Sequence, residues 1–168
     1  MAQITFKGDP VETVGELPAV GSKAPEFKLT TGELADVSLE DYAGKKKIIS
    51  IVPSLDTGVC AASARAFNEK AAQIEDTVIL NVSADLPFAA GRFCEAEGID
   101  RVVTLSTFRA PSFGDDYGVK IASGPLAGLM SRAVLVLSAD NEVVYAEQVP
   151  EIAQEPDYGK ALEAAQRA

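Results

Sequence analysis

The stretch Pro53-Ser54-Leu55-Asp56-Thr57-Gly58-Val59-Cys60 sets a thiol where it could do chemistry. It follows the apolar run Lys47-Ile48-Ile49-Ser50-Ile51-Val52 and precedes a helical pattern. Cys60 therefore falls in the first turn of a helix, just past the C-terminal end of a strand. Ligand sites in α/β sheets collect at that edge. Free backbone N–H groups and the positive end of the helix dipole stabilise an anion there, and thiolate is the nucleophilic form of cysteine. A thiol so placed needs no neighbouring base. The plainer reading is packing, because cysteine is among the most buried residue types and Cys60 lies on the apolar face of its helix. Asp56 favours that side, since a carboxylate turned toward the thiol would oppose its ionisation. On these residues alone both readings stand.

Composition narrows the remaining chemistry. The sequence has no histidine and two cysteines, which excludes a Ser–His or Cys–His nucleophile pair within the chain. Two thiols without imidazole also fall short of the three or four N/S ligands of a typical zinc site. Cys60 and Cys94 are too far apart in sequence to form a Cys-x-x-Cys pair. The net charge of −10 argues against nucleic acid or an anionic membrane surface as partner. Lys45, Lys46 and Lys47 form the longest basic run, read most simply as the solvated approach to a strand. No apolar run reaches signal-peptide or membrane-span length, so cytoplasm is the expected compartment.

The elements that must position these thiols follow from periodicity. At 168 residues, 47% hydrophobic and 24% charged, the chain is expected to form one domain, residues 1–168, with a substantial core. Ile4–Phe6 and Val11–Val14, split by Gly8-Asp9-Pro10, read as a small hairpin. Phe27–Leu29 is a short alternating stretch after the Gly21–Pro25 loop. The β-branched run ending at Pro53 is the candidate central strand. Cys60, Ala64, Phe67, Ala71 and Ile74 then share one face of a helix of about 15 residues or more, with Thr57 able to cap it. Thr77–Val82 is a second long strand. Asp85 is placed to cap a helix that starts at Pro87, stops at Gly98 and carries Cys94 in its later part. Val102–Leu105 is a short strand and Pro111–Tyr117 a short helix or turn. Ser123–Gly128 reads as a mobile loop, without the lysine and helix start of a phosphate cradle. Arg132–Leu137 and Glu142–Glu147 form a hairpin, and Asp157 can cap a last amphipathic helix carrying Tyr158, Ala161, Leu162 and Ala165.

Strand–helix–strand–helix–strand, then a hairpin and a terminal helix, points to an α/β fold with a central mixed sheet and helices on both faces. Right-handed crossovers make the first two long strands parallel and leave the closing hairpin antiparallel. This is the thioredoxin-like arrangement, with an N-terminal β-hairpin extension.

The pattern Pro53-x-x-x-Thr57-x-x-Cys60 resembles the active-site pattern of the peroxiredoxins. Pro-Ser-x-Asp-Thr-Gly-Val-Cys (53–60), Ser83-Ala84-Asp85-Leu86-Pro87-Phe88-Ala89, Arg92-Phe93-Cys94 and Thr104-Leu105-Ser106-Thr107-Phe108-Arg109 are similar, in that order, to strings of their thiol peroxidase branch. The likeness runs from about residue 5 to the C-terminus. The Pro/Thr/Cys pattern alone is moderately specific; four strings in one order are much more so.

The resemblance implies an atypical two-cysteine peroxiredoxin that reduces hydrogen peroxide and organic hydroperoxides to water and alcohols. Cys60 would be the peroxidatic cysteine, and Thr57 would hydrogen-bond the thiolate and the peroxide. Pro53 would shield the pocket, and Arg132 would favour thiolate and polarise the peroxide oxygen. Cys94 would be the resolving cysteine, condensing with a Cys60 sulfenic acid to form an intramolecular disulfide. The family also implies thioredoxin as reductant, a homodimer in which Asp56 serves a subunit contact, and no metal or organic cofactor. Without that likeness, Arg132 would be a strand-start arginine with its head in solvent, and Cys94 an ordinary helix cysteine. Two helical cysteines rarely lie within the Cα separation of about 7 Å that a disulfide needs. Local unwinding is therefore expected, with Gly91 and Gly98 favouring the Cys94 helix. Phe88, Phe93 and Leu126–Met130 could line an apolar entrance or simply pack. A thiol redox sensor using the same disulfide is the alternative function, and a non-catalytic thioredoxin-like binding module the third.

Overall fold

The computed structural model describes residues 1–71 and 73–168. Its elements are β1 (Gln3–Phe6), β2 (Asp9–Glu12), β3 (Lys28–Thr31), β4 (Asp36–Ser38), β5 (Lys46–Ile51), α1 (Gly58–Ala71) and β6 (Thr77–Ser83). They continue as α2 (Pro87–Glu97), β7 (Val103–Ser106), α3 (Ser112–Asp116), β8 (Ala133–Leu137), β9 (Val143–Gln148) and α4 (Tyr158–Arg167). A 3-10 turn covers Leu39–Tyr42.

Seven strands form one mixed sheet in the order β4-β3-β7-β6-β5-β8-β9, while β1 and β2 pair separately as an antiparallel hairpin. The pairs β5–β6 and β6–β7 are parallel, and β5–β8 and β8–β9 are antiparallel. This is the expected arrangement, and the reason is visible in β5. Buried on both faces, it must sit inside the sheet, and its β-branched residues suit a strand packed on either side.

Alternation along the central strands divides the core into two. Ile48, Ile79, Val134 and Val136 face one side, where they meet Ala64 and Phe67 of α1 and Ala161 and Ala165 of α4. Ile49, Ile51, Leu80, Val82 and Leu135 face the other, against Leu29, Phe113 and Tyr117. Ile4 and Val11 of the N-terminal hairpin pack instead on Ile121 and Ile152. Gly118, at φ 68°, lets its turn lie against the chain near Glu16; a Cβ there would stand 2.1 Å from the Glu16 carbonyl oxygen.

Several local expectations need adjustment. The hairpin turns at Lys7 and Gly8, so Asp9 and Pro10 already belong to β2. Lys47 is not a solvated approach to the strand: it is 0% exposed and donates to Asn141 Oδ1 at 2.6 Å. Its long stem carries the ammonium from a doubly covered strand to the β8–β9 turn. Burial lowers its pKa, while Asp140 and Glu26 push the other way. The Ser123–Gly128 segment is tied to the hairpin, since Glu12 N donates to Ser123 Oγ at 3.0 Å. On α1, Cys60, Ala64 and Phe67 are buried together with Ser63, and Ile74 follows the end of the helix. The expected position of Ala71 on that face concerns a side chain outside the described residues. The other caps behave as read at two places. Asp157 Oδ1 accepts from Lys160 N at 3.0 Å, and Gly98 closes α2 in the left-handed conformation at φ 68°.

Candidate active site

Cys60 is the third residue of α1 and is 0% exposed. It packs with Val52, Leu55 and Ala90, against which Phe93 also leans. The six-residue loop 52–57 between β5 and α1 brings this about: Pro53 follows the strand, and Leu55 folds back over the thiol while Asp56 and Thr57 remain exposed. Asp56 is thus outside the thiol's apolar surroundings. Pro53 is buried beside them.

Thr57 does not act as a side-chain cap. Its hydroxyl donates to the Ser54 carbonyl oxygen at 3.2 Å, while its own carbonyl oxygen accepts from Ala61 N at 2.9 Å. The threonine therefore stabilises the turn into α1 rather than the helix amides.

Arg132 is 2% exposed, contrary to the solvated head that its strand-start position allows. The register Ile51↔Ala133 puts it at the same sheet edge as Val52 and Pro53. Its Nε donates to the Ile152 carbonyl oxygen at 2.8 Å, but its buried Nη1 has no hydrogen-bond partner among the described residues. A guanidinium with one donor fixed and another free is prepared to receive an anionic or polar oxygen. Its charge is felt at Tyr158. Burial pushes that phenol up to about 12, against the downward pull of Ser63 and Arg132. Ser63, one turn beyond Cys60, lies near the Tyr158 oxygen without a well-formed hydrogen bond.

Cys94 is half-buried on α2 and belongs to the other apolar cluster, with Ile99 and Val102. Burial pushes its thiol pKa up, and the Thr104 hydroxyl pulls it partly back. Both cysteines are free thiols. Phe93 leans on both clusters, so one aromatic ring lies between the surroundings of the two sulfurs.

Residues for which the sequence indicated no part in the site tie these parts together. Asp85 does not cap α2: Leu86 occupies that position, without a side-chain cap, and Pro87 begins the helix. The Asp85 carboxylate instead accepts from Leu55 N at 2.7 Å, Ser54 Oγ at 2.8 Å and Ser83 Oγ at 2.9 Å. An aspartate two residues before a helical proline reads as a cap in sequence; only the fold reveals a nearer loop with unpaired donors. Arg65 of α1 pairs with Glu97 of α2 at 2.7 Å. Asn68 Oδ1 accepts from Asp100 N at 3.1 Å and Arg101 N at 2.7 Å. A cavity of about 680 Å³ opens between the Cys60 loop and α2, lined by Leu55, Asp85, Leu86, Phe88 and Phe93 among others. Of the residues expected to line an apolar entrance, Phe88 and Phe93 line this cavity, whose walls also carry Asp56, Arg92 and Glu97 and do not include Cys60. Leu126 packs on the N-terminal hairpin and Met130 in the core.

The Redoxin family model matches residues 19–162. Thiol peroxidases of Mycobacterium bovis and Mycobacterium tuberculosis are each 57% identical over 164 residues, covering 98% of both chains. The chain belongs to the thiol peroxidases of the Redoxin family. A solved peroxiredoxin-like protein of Aquifex aeolicus superposes with a TM-score of 0.94 at 37% identity, over 99% of this chain and 97% of that one. The thiol peroxidase of Chromobacterium violaceum, at 23% identity and a TM-score of 0.91, covers 98% of this chain and 95% of its own and shares the fold. Peroxidase activity and a thioredoxin-like sheet with an added hairpin accord with the reading of the sequence. Among the described residues, no helix is long and apolar enough to cross a membrane.

Proposed function

We propose that this peroxidase works through Cys60 and Cys94 as an atypical two-cysteine enzyme. The observation that carries the reading is the setting of Cys60: a thiol in the first turn of α1, enclosed by apolar side chains at the C-terminal edge of β5. The first turn of a helix is where free backbone N–H groups and the helix dipole favour negative charge. Arg132, with a free buried N–H, polarises the peroxide oxygen next to the thiolate. Pro53 keeps water from the site, and Thr57, after turning from the Ser54 carbonyl, donates to the reacting oxygens.

The Cys60 thiolate attacks the terminal peroxide oxygen, breaking the O–O bond. The alkoxide leaves and takes a proton, giving an alcohol, or water from hydrogen peroxide, and Cys60 becomes a sulfenic acid. Cys94 then attacks the Cys60 sulfur, water leaves, and a disulfide forms. An external dithiol of the thioredoxin type supplies the two electrons and two protons that reopen it. No metal or organic cofactor takes part. The same reading makes the enzyme a cytoplasmic homodimer.

The test is NADPH oxidation with thioredoxin, thioredoxin reductase and an organic hydroperoxide. The wild type is expected to turn over, Cys60→Ser to be inactive and Cys94→Ser to collapse after one turnover. An inactive wild type with several peroxides and dithiols would return Cys60 to the role of sensor or core thiol.

A further inference from the structure

The Ser83–Ala89 string holds an aspartate that the peroxidase cycle does not use. Asp85 sits between three segments. Its main chain is fixed by the ends of two strands: Asp85 N donates to Ser83 Oγ, and its carbonyl oxygen accepts from Ser106 Oγ. Its carboxylate leaves that frame and grips the loop before Cys60. One oxygen accepts from Ser54 Oγ at 2.8 Å, and the other accepts from Leu55 N at 2.7 Å and from Ser83 Oγ at 2.9 Å. Ser54 Oγ in turn accepts from Asp56 N at 3.2 Å.

Leu55 is the side chain that matters most here, because it is buried in the same small cluster as Cys60. Holding its amide holds the lid over the thiol. We propose that Asp85 is a positioning residue for peroxide reduction, a latch whose bonds to Leu55 N and Ser54 Oγ keep the Cys60 loop closed. The latch rests on the peroxidatic role assigned to Cys60. It sets a division of labour. With the latch closed the thiol is enclosed for reaction with peroxide, and with it open Leu55 lifts and Cys60 becomes reachable by larger reagents. Charge-assisted bonds at a rigid strand end suit such a task, since they are short, directional and lost together when the loop swings out.

The experiment compares wild type with Asp85→Ala, Asp85→Asn and Ser54→Ala as full chains. Each reduced protein is treated with iodoacetamide, and alkylation of Cys60 and Cys94 is followed separately by mass spectrometry, alongside amide exchange at Leu55. Asp85→Ala is expected to speed Cys60 alkylation by about tenfold or more while Cys94 stays within about twofold, a shift typical of losing hydrogen bonds to a charged group. Leu55 exchange rises in parallel, and kcat/KM for the hydroperoxide falls. Asp85→Asn restores most of the wild-type behaviour, because its amide oxygen still accepts from Leu55 N while its NH2 donates to Ser54 Oγ. Ser54→Ala, which removes one of the two latch bonds together with the Asp56 N contact and keeps the bond from Leu55 N, gives a smaller rise and serves if Asp85→Ala does not fold. Equal acceleration of both thiols, or of neither, overturns the latch and leaves Asp85 a general stabiliser. A wild type without peroxide turnover sinks the peroxidase reading, and the alkylation ratio still decides the latch.

Discussion

Replacing Asn68 with alanine should accelerate disulfide closure while lowering stability only slightly. Asn68 stands on α1 and its side chain holds the chain just beyond α2. Its Oδ1 accepts from Asp100 N and Arg101 N, and its Nδ2 lies 3.5 Å from the Gly98 carbonyl oxygen. The two shorter bonds are partly exposed, so water replaces them in the variant and their net worth together is about 1 kcal/mol. That corresponds to a fall in Tm of about 3 °C for a chain of this length. The same energy should favour opening at the C-terminal end of α2 about fivefold. If Cys94 reaches Cys60 by loosening of α2, closure of the disulfide after one equivalent of peroxide should quicken by that factor. Rapid acid quench and separation of oxidised from reduced protein would follow it, with amide exchange at Asp100 and Arg101 reporting the local opening. Faster exchange at those amides with unchanged closure would refute the reasoning, because it would show that α2 opens without limiting the reaction.

The pH dependence of closure tests the surroundings of Cys94. Burial raises its pKa and the Thr104 hydroxyl lowers it, so closure should keep accelerating to pH values above the ordinary thiol value of 9.0. Thr104→Val should move that profile further up, and an unchanged profile would show that Cys94 leaves its pocket before ionising. Global stability should fall in alkali. Burial raises Tyr117, Tyr145 and Tyr158, the last two to about 12, so above about pH 10 the unfolded chain releases protons that the folded chain retains. The sign is therefore negative from about pH 10 upward until the folded phenols ionise in turn. Tyr117 alone accounts for up to about 1.4 kcal/mol per pH unit, and the two more exposed phenols for less. Urea denaturation between pH 8 and 11 would measure it, and a flat profile would contradict it.

What could be read from the sequence was whatever depends on local pattern. The run Ile48-Ile49-Ser50-Ile51 announces a doubly buried strand, and Pro53 and Gly98 mark chain reversals that any fold must respect. The Cys60 position follows from the strand and the helix start together. Residues acting across the fold were not readable in the same way. Asp85 had a good local use as a cap, and the competing donors at Ser54 and Leu55 lie on another loop. Lys47 looked like its two solvated neighbours until the strand's place in the centre of the sheet decided its burial. The burial of Arg132 was unreadable for the same reason: a strand-start arginine is exposed or enclosed according to what the chain near Ile152 does, and periodicity says nothing of that.

The two apolar clusters around the thiols bear on which part of the molecule moves. For a disulfide to form, the Cα atoms of Cys60 and Cys94 must come within about 7 Å. Unwinding α1 beyond its first turn would expose Phe67 and Ala64, which face the sheet, and exposing a buried phenylalanine alone costs about 1.5–3 kcal/mol. By contrast, α2 buries only Pro87 and Ala90 fully, while Phe93 and Cys94 are half-covered. Its ends are held from outside: the segment leading into it by Asp85 and its C-terminal end by Arg65 and Asn68. A helix fastened at its ends and thinly packed between them belongs to the low-stability part of a fold. Lifting Leu55 and loosening α2 are thus the two inexpensive motions at this site. Phe93, leaning on both clusters, couples them: when α2 shifts, the ring that helps enclose Cys60 shifts with it. Approach of Cys94 therefore also loosens the cover of Cys60, whereas lifting Leu55 alone uncovers Cys60 and leaves Cys94 in its cluster, with α1 and the sheet as the fixed frame of both motions.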